Sequence, residues 1–245
     1  MVMLLTEIDI INGIFTLGMV IGNISMGIIL ISKSREAKNR TTLLFMGISL
    51  MLLITPWVAN SINFLLLLLK VPSLTPETHL AIALVALPFA NLAWMVVMTN
   101  LLFNKQKKPI LAAYAAYAVI FNVILFTLLP IDYTLVGTFD SPIDTVYSSL
   151  FSLLILGLLG TVLITSIWFF AESRKAESPQ AKLKATFFLL STSTFVTASI
   201  LDARLSAGVI MIIIIRFMLL LGAIEIYWAF LMPDYIQKIF LKDKK

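Results

Sequence analysis

Arg216 and Glu225 are the two charged side chains set in the interior of long apolar runs, and both lie on the last of these, residues 208–232. An ionisable group deep in a bilayer is costly to hold, so it faces a partner, a cavity or a conduction path. A guanidinium there would bind an anionic ligand group or an acidic loop. A carboxyl there would serve proton-coupled transport or act as the switch of a sensor. Nine residues separate the two, about 13.5 Å of rise and half a turn of helix, so they point to opposite faces and cannot pair within one helix.

Each residue therefore needs its own partner. Arg216 shares a face with Leu220, Ala223 and Tyr227. It can extend outward along its aliphatic stem toward Asp202 or the acidic loop of Asp132, Asp140 and Asp144. The asparagines of the second and third runs are neutral alternatives. Glu225 shares a face with Met218, Gly222 and Ala229, and no Lys or Arg lies at its depth on another run. Either it is neutral and donates to a carbonyl, or it faces water near basic loops.

The elements that position these residues are apolar helices. Of 245 residues, 60% are hydrophobic and 13% charged, and the mean hydropathy is +1.01, which places the chain outside the range of soluble domains. Runs of about 20 apolar residues predict an all-α bundle of seven spans at about 8–31, 42–69, 79–103, 110–130, 146–170, 183–201 and 208–232, a single domain. The sixth is predicted to be the shortest. No alternation of period two appears, which argues against a membrane barrel.

Charge orients the bundle. Segments 32–40, 104–109, 171–184 and 233–245 hold 15 of the 18 Lys and Arg residues. The alternate segments hold only Lys70 and Arg204, against seven acids. The positive-inside rule then puts the N-terminus outside and the C-terminus in the cytoplasm. The basic loops are expected to meet anionic head groups, not nucleic acid. The first run lacks a basic leader and carries Glu7 and Asp9 at its mouth, so it reads as a span and not as a cleaved signal.

Polar residues recur at helical spacing. Asn12, Thr16 and Asn23 share one face of the first span, with Gly18 and Gly22 on another. Gly18-x-x-x-Gly22 would let a second backbone approach, within the bundle or in a homo-oligomer. The second span carries Ser49, Pro56, Asn60 and Asn63 on one face, and the third Pro88, Asn91, Met95 and Thr99. Kinks are expected at Pro56 and Pro88, with Thr55 or a neighbouring helix taking up the freed carbonyl. Two readings stand: interhelical glue at ~0.6 kcal/mol per bond, or the wall of an outward-opening polar cavity.

Absences narrow the chemistry. No Lys lies in the last span for a retinal Schiff base. There is no cysteine, and the one histidine, His79, reads as a polar cap at a helix mouth. No metal site or cofactor is expected. Glycine loops for nucleotides and the residues of intramembrane proteases are missing too, so no enzyme is expected.

Arg216, Gly222, Glu225, Tyr227-Trp228 and Met232-Pro233-Asp234-Tyr235-Ile236-Gln237-Lys238 together resemble the last helix of prokaryotic, archaeal-type seven-helix sensor domains, such as those N-terminal to histidine kinases. The resemblance covers about 25 residues. It implies a multi-pass protein of a prokaryotic plasma membrane that binds a small ligand or lipid and signals through a separate membrane or cytoplasmic partner. The candidate ligand or proton site is Arg216, Glu225, Asn60, Asn63 and Asn91. The alternatives are a small secondary transporter or channel using Glu225, or a non-catalytic subunit of a membrane complex.

Overall fold

A computed structural model of the chain describes residues 5–204 and 208–241. Residues 205–207 and the lysines within 242–245, which entered the charge comparison, lie outside the described residues. The first helix, α1 (Glu7–Ser34), starts from a capping box. The Thr6 hydroxyl accepts from the Asp9 N–H at 3.2 Å, and the Asp9 carboxylate accepts from the Thr6 N–H at 2.9 Å. Both would otherwise be unpaired donors at the helix start. At 28 residues, α1 is about 42 Å long, more than a hydrocarbon core requires.

The run at 42–69 is two helices, α2 (Arg40–Leu53) and α3 (Thr55–Leu68), which meet at 49°. Pro56 has no N–H to offer the Leu52 carbonyl, and its ring crowds that carbonyl. The Thr55 hydroxyl takes up the freed group, donating to the Leu52 and the Ala83 carbonyls at 3.0 Å each. Pro88 has a similar effect. It follows a break at Val85–Ala86 between α4 (Pro76–Leu84) and α5 (Leu87–Leu101), which together run as one apolar segment.

The remaining helices are α6 (Lys107–Leu128), α7 (Ser149–Ser173), α8 (Pro179–Arg204), α9 (Val209–Leu231) and the short α10 (Asp234–Phe240). Among the described residues, six helices or joined helices are long and apolar enough to cross a membrane, or seven if the bent α2–α3 pair counts as one span. The sixth run is not the shortest. As α8 it has 26 residues, because its polar ends stay helical: Lys184 donates to the Phe230 carbonyl at 3.4 Å and Asp202 pairs with α9. Hydropathy stops at such charges although the helix does not.

The Gly18–Gly22 motif is only half used. Nothing lies within 4 Å of a Cβ built at Gly18, whereas one at Gly22 would meet the Leu220 side chain of α9. The close backbone approach is at Gly27 and Gly47, where a Cβ on Gly47 would stand 2.6 Å from the Gly27 carbonyl oxygen. These two glycines let α1 and α2 cross in near-contact.

Between α6 and α7 the chain forms an antiparallel hairpin, β1 (Gly137–Ser141) and β2 (Asp144–Tyr147). It lies across one end of the bundle, here termed the hairpin end. His79 holds it there and is not an interfacial cap: it is 1% exposed. Asn63 Nδ2 lies 2.9 Å from His79 Nδ1 and donates to the Pro142 carbonyl at 3.1 Å. An amide nitrogen only donates, so Nδ1 accepts and Nε2 carries the proton toward the Thr145 hydroxyl, 3.1 Å away. Phe139 packs edge-on against the imidazole and Ile143 is buried beside Phe64 and Leu67.

At the opposite end, α10 folds back on α8. Gln180 donates to the Gln237 side chain at 2.9 Å, and Phe240 packs edge-on against Phe187. The bundle centre is built around Trp94, Met95 and Met98 of α5, packed with Met46, Phe188 and Ile226. The α6 flank turns Val119, Ile120, Val123 and Phe126 outward. Such an apolar exterior suits hydrocarbon.

Candidate functional site

The site begins with the cost of burying Arg216, which is 3% exposed. The sequence predicts a side chain that extends outward toward Asp202 or the acidic loop; Asp202 is indeed its partner, but all three guanidinium nitrogens are bonded inside the bundle. Nη1 meets Asp202 Oδ1 at 2.6 Å, Nε donates to the Thr16 hydroxyl at 2.8 Å, and Nη2 donates to Asn12 Oδ1 at 3.1 Å. Thr16 in turn donates to Asn12 at 3.1 Å. A buried charge is tolerable when its partner is close and its remaining protons are bonded, and both conditions hold here.

Asp202 carries the network further. Its second oxygen accepts from the Trp57 indole at 2.8 Å. One carboxylate thus ties α9 and α8 to the start of the kinked α3, while the guanidinium ties α9 to α1. The bend at Ile54 matters because it sets the direction in which Trp57, three residues on, leaves the helix.

Beside this network, between α3, α7, α8 and the hairpin, lies a cavity of about 420 Å³. Its polar wall includes Asn60, Asp144 and Asp202, and its aromatic wall Trp57, Tyr147 and Phe195. Leu153, Leu156 and Ile200 also line it and are exposed on the outside of the bundle. The cavity therefore reaches the apolar flank of the molecule between α7 and α8. Ligand cavities of this kind are largely apolar with a few convergent polar groups.

The charge balance of this wall is uneven. Burial, and then the negative charge of Asp202, push Asp144 up to about 6, against the pull of Arg216 and the Thr145 N–H. Tyr147 is raised by burial and by the same two carboxylates. Asn60 is nine-tenths buried, and its Oδ1 has no hydrogen-bond partner among the described residues.

The other sequence candidates lie elsewhere. Asn63 is engaged in the hairpin latch, where its Oδ1 also accepts from the Leu74 N–H at 2.9 Å. Asn91 is 1% exposed inside α5, with neither amide atom bonded among the described residues. Glu225 is 4% exposed on the face of α9 away from Arg216, and its Oε2 also lacks a partner. A void of about 20 Å³ at the bundle centre, lined by Ser191, Thr192, Gly222 and Ile226, has room for about one water. Of the predicted residues, the structure brings Asn60 to the cavity and Arg216 to the network beside it. Asp202, one of the acids expected to partner Arg216, joins them with Asp144 of the acidic loop and with Asn12, Thr16 and Trp57.

The polar stripe of Asn12 and Thr16 was visible as an i, i+4 pair on the first span. Trp57 gave no signal beyond following Pro56. No groups of three or more His, Asp and Glu that could hold a metal occur among the described residues. The sequence matches no protein-family model, and comparison with curated proteins finds no significant match.

Proposed function

We propose that this chain is a sensor-like or receptor-like multi-pass membrane protein that binds a small ligand or lipid in the hairpin-end cavity and signals through a separate partner at the opposite end. The reading is of a binding protein, not an enzyme. One observation carries it: Asp202 stands in the cavity wall and also clamps Arg216 of α9 and Trp57 of α3. A ligand that competes for this carboxylate loosens α9 from α8, and the rigid helix conveys the shift to α10 and the basic loops. The distribution of Lys and Arg supports a hairpin end outside and a C-terminus in the cytoplasm. The sensor-type exit of α9 through Pro233 and Tyr235 supports the same class.

The test is purification from native membranes followed by mass spectrometry of what remains bound. Wild type is expected to retain a small molecule that a Ser199→Trp variant, with the cavity filled, has lost. Equal retention by both, or by neither, contradicts the reading.

A second reading, proton-coupled transport, is favoured by the buried carboxyl of Glu225, whose Oε2 has no partner among the described residues. It predicts that liposomes containing the protein show flux driven by a pH gradient, and that Glu225→Gln abolishes this flux.

A further inference from the structure

The cavity wall is unbalanced in both charge and hydrogen bonding. Asp144 and Asp202 both face it, while Arg216, the guanidinium beside it among the described side chains, spends its three nitrogens on Asp202, Thr16 and Asn12 and does not line it. Both Asp202 oxygens have donors, so an entering cation competes with Arg216 and Trp57 for a carboxylate that is already satisfied. Asp144 is not. One of its oxygens accepts from the Thr145 N–H at 3.0 Å, and the other has no protein donor among the described residues. A second acceptor, independent of the acids, is the buried and unpartnered Oδ1 of Asn60. An unpaired buried acceptor such as Asn60 Oδ1 is costly, and a ligand that donates to it removes the cost.

Two carboxylates and an open amide oxygen in the wall disfavour an anion. A bare metal ion is disfavoured, because among the described residues there is no cluster of three ligating side chains. What remains is an organic cation. The aromatic side chains of Trp57, Tyr147 and Phe195 in the wall suit one, since an ammonium group is attracted to aromatic rings. The rest of the wall mixes the hydroxyls of Ser149, Ser152 and Ser199 with aliphatic side chains, of which Leu153, Leu156 and Ile200 lead to the exposed flank between α7 and α8. We infer that the cavity takes a primary-amine amphiphile, its protonated head bonded by Asp144 and Asn60 beneath Trp57 and Tyr147, its chain directed between α7 and α8. This inference rests on the reading of the cavity as a ligand site.

The chemistry has two sources, a free alkylamine or an amine-bearing lipid head group. Calorimetric titration of the full chain in phosphatidylglycerol nanodiscs, blanked against empty discs, tests the class with n-octylamine, octanol and octanoate. Wild type is expected to bind n-octylamine saturably and at least about tenfold more tightly than octanol, with octanoate weakest. Asp144→Asn loses about tenfold for the amine and nothing for octanol, while Asp144→Glu restores the amine. Asp144 is exposed on the hairpin, so the Asn variant is expected to fold, which its thermal midpoint checks.

Discs containing phosphatidylethanolamine identify the source. If n-octylamine binding falls there by competition, the amine is a lipid head group; if it is unchanged, a free amphiphile is the occupant. Equal, saturable binding of all three probes, indifferent to Asp144→Asn, overturns the amine assignment and leaves a ligand cavity standing. No saturable binding of any probe, with Ser199→Trp indistinguishable from wild type, removes the ligand site itself.

Discussion

Arg216 and Asp202 form a pair in which each depends on the other, because the guanidinium is closed in and its carboxylate is only partly open to solvent. Removing one partner leaves a buried charge, a loss of about 3–5 kcal/mol for a fully buried pair and less where water reaches one side. Arg216→Ala and Asp202→Ala are each expected to cost about 2–4 kcal/mol in reversible unfolding. The double variant should cost less than their sum. Strict additivity would show that the two side chains do not interact.

Asp144 adds a pH dependence. Its folded value of about 6 lies above the ordinary range near 4, so the folded state binds the proton more tightly than the unfolded one. The resulting stability is full below the unfolded value and is lost as pH rises through about 6. The groups facing Asp144 are Asp202, Arg216, Asp140 and Tyr147, of which Arg216 alone is cationic. Because Asp144 still meets solvent, the effect is discounted to less than about 1 kcal/mol. Acidification also opposes the latch, where His79 is buried and accepts through Nδ1, so the Asp144 contribution is read against Asp144→Asn: the unfolding midpoint of the ligand-free wild type should gain on that of the variant as pH falls from 7.5 to 5. A gap between the two that does not change with pH would place the titrating group elsewhere.

The apolar runs were legible at the scale of elements because each carries enough hydrophobic residues to span and few charges to confuse the count. What was not legible depends on contacts far apart in sequence. The break at Ile54 follows from Pro56, but its 49° angle is set by packing and by the Thr55 bond to Ala83. The ends of α8 were lost because Lys184 and Asp202 look like loop residues until their partners on α9 are known. The hairpin, with Pro142 in its turn, gave no period-two signal, and the link from Trp57 to Asp202 spans 145 residues. The stripe of Asn12 and Thr16 was readable, but its cation was not, since nothing in the first span points to Arg216. Glycine spacing was likewise ambiguous: Gly18 and Gly22 match a motif, whereas Gly27 and Gly47 make the crossing. Gly47→Val should therefore destabilise by about 1–3 kcal/mol through overpacking, while Gly18→Val changes unfolding by less than about 0.5 kcal/mol. Equal effects would contradict the placement of the α1–α2 crossing.

For the molecule as a whole, orientation is open to a direct check because the chain contains no cysteine. Single cysteines at Thr138, exposed on the hairpin, and at Ser178, exposed between α7 and α8, can be labelled without background. In intact cells, a membrane-impermeant maleimide should reach Thr138→Cys directly and Ser178→Cys only after permeabilisation. The reverse pattern would put the cavity on the cytoplasmic side.

The central claim is that occupancy of the cavity moves α9 through Asp202. Its most direct test is the distance between spin labels at Glu36→Cys, after α1, and Ile239→Cys, on α10, measured in nanodiscs with and without saturating n-octylamine. The account predicts a shift of about 1–2 Å or more in the distance distribution, absent when Ser199→Trp fills the cavity. A distribution unchanged by amine bound to saturation would contradict it.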